Sequence, residues 1–199
     1  MVFKENMIFK YILLGLSILF SACTQTPLKD NNLKYDFFET IELNVEELIF
    51  DLKESNASDF IENESEEIVM VRKLVKSRLT AWSEKKFSVK GKKNKSILSY
   101  LKTKVTLKEN DEDLGMKKFF LPEKKTYQIH TGLDMKFISS ENISSKLNII
   151  GSIDLEIEDN LTLNKKNFKI QNTIEILVKG IDDEINKQLK RNEFKLYLF

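Results

Sequence analysis

Residues 146–159 read KLNIIGSIDLEIED, and their spacing decides the fold. Leu147, Ile149, Ile153, Leu155 and Ile157 share one side of an extended chain, with Asn148, Asp154 and Glu156 opposite. Alternation with a period of two marks a strand with one apolar and one wet face, the pattern of antiparallel sheets. It occurs again upstream, where Tyr127, Ile129, Leu133, Met135 and Phe137 share one side of a second strand. Ile97, Leu101, Val105 and Leu107 share one side of a third, with Lys102, Lys104 and Lys108 opposite. A shorter run, Ile41, Leu43 and Val45 against Glu42, Asn44 and Glu46, predicts a further strand nearer the N-terminus.

Two segments change to the helical period. Ile68, Val71, Val75, Leu79 and Trp82 recur at steps of three and four. Asn63, with Glu66 three residues on, has a capping-box arrangement. Glu64, Glu66 and Glu67 open this helix while Lys73, Lys76 and Arg78 lie towards its end, as the helix dipole favours. Residues 51–62 lack periodicity and read as a loop. Ile170, Ile174, Leu177, Ile181, Ile185 and Leu189 form a second stripe, predicted to span 167–191. Gly180 costs that helix up to ~1 kcal/mol relative to Ala. The predicted fold is α+β, a two-layer sandwich in the order β-α-β-β-β-α. A four-stranded, mainly antiparallel sheet carries two amphipathic helices on one face, so that each layer buries the apolar side of the other.

Outside this domain the N-terminus has a different character. Lys4 and Lys10 give a positive start, Tyr11–Phe20 (YILLGLSILF) is an uncharged, mostly apolar run, and Ser21 and Ala22 lead into Cys23. An apolar core of this length fits an export signal, whereas a spanning helix needs roughly 18 residues. Leu19-Phe20-Ser21-Ala22-Cys23 resembles the bacterial lipobox, with Phe20 where leucine is commonest. The resemblance implies cleavage before Cys23, acylation of that cysteine and a stable membrane anchor made by more than one acyl chain. Thr24 follows the cysteine, not the Asp that resembles an inner-membrane retention signal, which implies the periplasmic face of the outer membrane. Cys23 is the only cysteine, so no disulfide can form within the chain. Residues 24–34 (TQTPLKDNNLK) are polar and read as a tether. The expected organisation is a signal peptide over 1–22, a tether over 23–34 and a single domain over 35–199.

The signal holds two of the 32 bases and one of the 31 acids, which leaves 30 of each in the rest of the chain. Such a balance argues against a general nucleic-acid binder. The charges are nevertheless segregated. From Asp36 to Glu67 there are twelve acids and one base, Lys53; from Arg72 to Lys108 there are thirteen bases and one acid, Glu84. The two regions are expected to fold against each other.

No constellation of residues points to a chemistry. His130 is the only histidine and falls on the polar side of its strand, and a lone His cannot build the common zinc sites. The acidic clusters Glu66-Glu67, Asp111-Glu112-Asp113 and Asp182-Asp183-Glu184 read as solvated surface, where general acid–base work would need a cleft. Gly91-Lys92-Lys93-Asn94-Lys95-Ser96 lacks the first glycine of a phosphate loop and leads into a strand. No cofactor and no metal is expected. Two candidate contact surfaces remain. One is basic: Lys85, Lys86, Lys90, Lys92, Lys93 and Lys95, suited to anionic head groups or an acidic patch. The other is the loop 114–122, where Met116, Lys117, Lys118, Phe119, Phe120 and Leu121 place apolar side chains in a connection longer than a hairpin needs.

Four segments, TIELNVEELIF (40–50), LVKSRL (74–79), NKSILSYLKTKVTLKE (94–109) and YQIHTGLDMKF (127–137), resemble a family of uncharacterised proteobacterial lipoproteins. The predicted order of elements also resembles the lipoproteins that assist lipopolysaccharide assembly and lipid-transport ABC systems. The lipid anchor, a compact domain and the missing catalytic constellation together predict a non-enzymatic accessory component, held to the membrane by acyl chains and bound to an envelope protein partner in assembly or transport. Direct lipid or glycolipid binding is the alternative.

Overall fold

A computed structural model describes residues 38–51, 65–108 and 122–199. All belong to the unit Tyr35–Phe199. The elements are β1 (Ile41–Leu43), β2 (Glu47–Asp51), α1 (Glu66–Lys86), β3 (Phe87–Val89), β4 (Lys95–Lys108), β5 (Lys124–Ile138), β6 (Ser144–Glu158) and α2 (Leu163–Leu189), followed by a 3-10 helix, Asn192–Tyr197. The architecture is mixed α+β. The strands form a four-stranded sheet in the order β2-β4-β5-β6 and a separate pair, β1-β3. Strands β4, β5 and β6 are an antiparallel meander, whereas β2 runs parallel to β4 and β1 parallel to β3.

Three of these features differ from the expected order. The first predicted strand, from Ile41 to Glu46, ends at Leu43, and an unpredicted strand, β2, follows it in the other sheet. Between them Asn44 N–H donates to the Tyr197 carbonyl at 2.8 Å and Glu46 N–H to the Asn94 carbonyl at 3.1 Å. The backbone therefore turns to partners far along the chain instead of continuing one ladder. Helix α1 starts at Glu66 with Ser65 as its cap, the Ser65 hydroxyl accepting from Ile68 N–H at 3.4 Å. Asn63 and Glu64 lie outside the described residues. Helix α1 also runs into β3 without a loop, because Phe87 at its C-cap is already extended.

The third difference is a bulge. Residues Lys95 to Leu101 of β4 pair with β5 in one register, and from Lys104 onward the register has moved by one. Leu98, opposite Met135, and Val105, opposite Ile129, are therefore both buried, although they differ in parity. Ile97 and Leu101 fall on the other face, opposite Lys136 and Gly132, so the predicted single stripe from Ile97 to Leu107 holds only beyond the bulge. An extra residue in one strand exchanges the faces of everything that follows. On β5 the five predicted core residues are all buried, and on β6 so are Leu147, Ile149, Leu155 and Ile157.

Both helices cover the same face of the sheet. Tyr100 and Tyr127 reach α1 from it: the Tyr100 hydroxyl bonds with Ser83, and Tyr127 donates to the Glu67 carboxylate. Burial above all raises the pKa of both phenols, and the Glu67 charge adds to the effect at Tyr127. Gly151 lies under α2, where a Cβ would meet Leu177 Cδ1 at 2.9 Å and Ile181 Cγ1 at 3.0 Å. All six predicted stripe residues of α2 are buried. The opposite face of the sheet is open, and carries His130, Ile150 and the ion pairs Lys146–Asp134 at 3.0 Å and Lys108–Asp154 at 2.5 Å.

Asp182 and Lys86 correct the sequence reading. Asp182 is not solvated surface but buried at mid-helix, because it continues the α2 stripe four residues after Val178. Lys86 continues the α1 stripe four residues after Trp82, and its side chain has 0% exposure. Lys86 Nζ stands 2.8 Å from Asp182 Oδ1, without the angle of a hydrogen bond. Trp82 Nε1 donates to Asp182 Oδ1 at 3.0 Å and Asn186 Nδ2 to Asp182 Oδ2 at 2.9 Å. Lys86 therefore leaves the predicted basic surface.

Two glycines should respond with opposite signs to an added methyl. A Cβ at Gly132, opposite the bulge, would lie 2.0 Å from the Ile149 carbonyl oxygen, so the two strands must shift. Gly132→Ala is expected to cost about 1–3 kcal/mol, as for other overpacked sites. At Gly180 nothing lies within 4 Å, and Gly180→Ala should stabilise α2 by about 0.4–1 kcal/mol. Urea midpoints of the two variants check this, and shifts of the same sign would refute the strand spacing at Gly132.

Candidate functional site

At one end of the sandwich three connections converge. They are the β3–β4 turn with Lys90, Gly91, Lys92, Lys93 and Asn94, the β5–β6 turn from Ser139 to Ile143, and the segment from Leu196 to Phe199. Together with Asn44 they line a cleft of about 560 Å3.

The walls of this cleft are fixed by backbone hydrogen bonds. Asn94 has a left-handed backbone, φ 67°, which turns its side chain to join two neighbours. Its Nδ2 donates to the Asn44 carbonyl at 3.2 Å, and its Oδ1 accepts from Ser140 N–H at 3.1 Å. Gly91 packs so closely on the segment that follows β1 that a Cβ would lie 2.4 Å from Asn44 C and Val45 N. Lys90 and Gly91 N–H both donate to the Leu43 carbonyl. In the β5–β6 turn the Ser139 hydroxyl accepts from Ile143 N–H at 3.1 Å. Asn44 Nδ2 donates to the Leu196 carbonyl at 3.2 Å, and Leu43 bridges to Leu198. Beneath, Phe137 stacks on Tyr197 with ring centres 4.9 Å apart and meets Phe194 at 5.5 Å.

The lining mixes cations with apolar side chains. Lys90, Lys92 and Lys93 are exposed and face one acid of the lining, Glu141. Ile143 and Leu196 are each 61% exposed, and Phe199 lies beside them. Lys90 Nζ is 3.6 Å from Glu42, and Lys95 Nζ is 3.0 Å from Glu47, whose hydrogen bond holds the Lys95 ammonium above its ordinary pKa. These pairs join the acidic N-terminal region to the basic region after it, as the charge segregation predicted. Such a site can bind and orient.

Of the predicted basic surface, Lys90, Lys92 and Lys93 come together at the cleft, Lys95 begins β4 beside it, and Lys85 is exposed at the end of α1. Cys23 and the loop residues Met116, Lys117, Lys118, Phe119, Phe120 and Leu121 lie outside the described residues. The apolar rim was missed, because Ile143, Leu196 and Phe199 belong to no periodic run that would give them a side. Among the described residues no cluster of His, Cys, Asp and Glu could hold a metal ion, and no helix is long and apolar enough to cross a membrane.

No protein-family model and no curated protein matches the chain. Among solved structures, the fold is similar to a minor lipoprotein from Acinetobacter baumannii, at 9% identity and a TM-score of 0.38 over 74% of this chain and 92% of that one. It is also similar to rare lipoprotein B from Shewanella oneidensis, at 13% identity and a TM-score of 0.36 over 75% of this chain and 98% of that one. Likeness at these values carries neither an activity nor a partner to this chain.

Proposed function

We propose that the chain is a lipoprotein of the bacterial envelope, acylated at Cys23 and held at the periplasmic face of the outer membrane. There its domain acts as a non-enzymatic accessory that binds another envelope component in assembly or transport. The observation that carries the anchor is Tyr11–Cys23, an apolar run followed by Ser21, Ala22 and the only cysteine of the chain. A binding role is supported by the cleft, in which a hydrogen-bonded frame displays exposed apolar side chains beside lysines.

The test is Cys23→Ser in the producing bacterium. The variant is expected to leave the membrane fraction or to stop being processed, and an unchanged fractionation with an unchanged intact mass would overturn the anchor. Capture of the anchored protein from detergent-solubilised envelope is expected to bring down a stoichiometric protein. Co-purified lipid alone would replace the accessory role with lipid or glycolipid binding.

A further inference from the structure

We infer that two copies of the chain pair edge to edge through β6, antiparallel about a two-fold axis at Ile150, so that their sheets become one. The inference rests neither on the anchor nor on the cleft.

Strand β6 ends the four-stranded sheet and has a neighbouring strand on one side only among the described residues. Every second residue of such a strand turns its N–H and C=O away from the sheet. Open edges of this kind are commonly kept short, bulged or interrupted by proline. None of these devices is present in β6. Its fifteen residues, Ser144–Glu158, pair with β5 without a register shift and include no proline. The edge strand β2 offers five residues, and β1 and β3 three each.

The side chains of β6 choose the occupant. Ile150 is 69% exposed on the open face of the sheet. In an antiparallel self-pairing centred on it, Ile150 lies against its own copy, Asn148 against Ser152 and Lys146 against Asp154. Moving the centre by one residue loses the match. About Ile149, Lys146 faces Ser152 and Asn148 faces Ile150; about Gly151, Ile150 faces Ser152. Within one chain Lys146 is paired with Asp134 and Asp154 with Lys108, and all four remain partly exposed. Across the junction these pairs continue one alternation of charge, which sets register more than affinity. A second copy supplies every complement by symmetry.

The helix layer permits the approach. A two-fold axis perpendicular to the sheet puts both copies of α2 on the same side, flank to flank. Helix α1 packs on β4 and α2 on β6; Ile181 of α2 lies over Gly151, and Asp182 faces Lys86 of α1. Successive helical residues turn by about 100°, so Gly180 falls on the flank away from α1, towards the open edge. A Cβ there would meet nothing within 4 Å, and the flank carries no side chain at that level to hold a second sheet away. Ile176, one turn earlier on the same flank, is 56% exposed, and Ile153 on the covered face of β6 is only half-buried. Apolar surface therefore borders the edge on both faces of the sheet, where a continuation of both layers would cover it.

The experiment uses the full acylated protein in its membrane, with a short bis-maleimide as the probe and the parent chain as background. Facing residues of an antiparallel pair have Cβ atoms about 5 Å apart. Ile150→Cys is therefore expected to give a covalent dimer of the chain. Lys146→Cys and Asp154→Cys should give none singly, because each lies about 27 Å from its own copy. Produced together, these two variants should cross-link to each other. In detergent the parent is expected to scatter light as two chains. Ile150→Lys, which sets two ammonium groups against each other at the axis, should scatter as one. Its far-UV spectrum should stay that of the parent, since Ile150 is exposed in the single chain. No dimer from Ile150→Cys, or equal yields from Ile150→Cys and Lys146→Cys alone, would overturn the inference. So would a mass of two chains that survives Ile150→Lys. A benzophenone maleimide on the Ile150→Cys variant that joined a different protein and never a second copy would overturn it too, and would assign the edge to a foreign strand.

Discussion

Asp182→Ala is expected to lower the stability of the domain by about 3–5 kcal/mol, the range found when one partner of a buried ion pair is removed. The substitution leaves the Lys86 ammonium, with 0% side-chain exposure, without its counter-charge. It also leaves Trp82 Nε1 without the acceptor that stands 3.0 Å away. Neither group can turn to water, because both Trp82 and Lys86 are fully buried between the helices. The double variant Lys86→Met with Asp182→Leu removes both charges at similar volume. It should recover most of the loss, since a well-packed apolar pair commonly matches a buried ion pair. Urea unfolding of the single and double variants reads both effects. A single variant within about 1 kcal/mol of the parent, with no recovery in the double, would show that the pair is solvated.

The larger effect is expected at the neighbouring position. Ile181 is 1% exposed and packs against the sheet at Gly151. Ile181→Asp places there a carboxylate with no cation of its own, next to Asp182. Burying such a charge costs several kcal/mol on top of the lost apolar contact. That is comparable with the whole stability of a domain of this size, about 5–15 kcal/mol. The variant should show no cooperative thermal transition. Lys179→Asp lies on the exposed side of α2, where surface changes stay within about 0.5 kcal/mol. Equal melting of the two variants would show that α2 is rotated from the position described.

These two residues mark how far the sequence could be read. The α2 stripe, the strand alternation in β5 and β6, and the covering of one sheet face by two helices follow from local periodicity. Local spacing places Ile181 inward without reference to any other element. Asp182 lies on the same stripe, yet a carboxylate is buried only where something distant receives it. That something is Lys86, on the other stripe. A lysine and an aspartate that each continue an apolar stripe were the available signal. The bulge in β4 left less trace, since Thr103 and Lys104 suit either face of a strand until β5 fixes the register. The end of the first strand at Leu43 and the start of another at Glu47 left less still, because they depend on hydrogen bonds from Asn44 and Glu46 to Tyr197 and Asn94. The lysines of the cleft could be read as a cluster, but the apolar side chains beside them came from two other turns.

The bond from Asn44 to the Leu196 carbonyl joins positions 152 residues apart. Closing so long a loop carries an entropy cost that the local β4-β5-β6 meander does not meet, and contacts of that range are characteristic of slow steps. The cleft takes its walls from residues 44, 90–94, 139–143 and 196–199. The cleft is therefore complete only when segments from both ends of the domain have met, and whatever binds it recognises the assembled molecule.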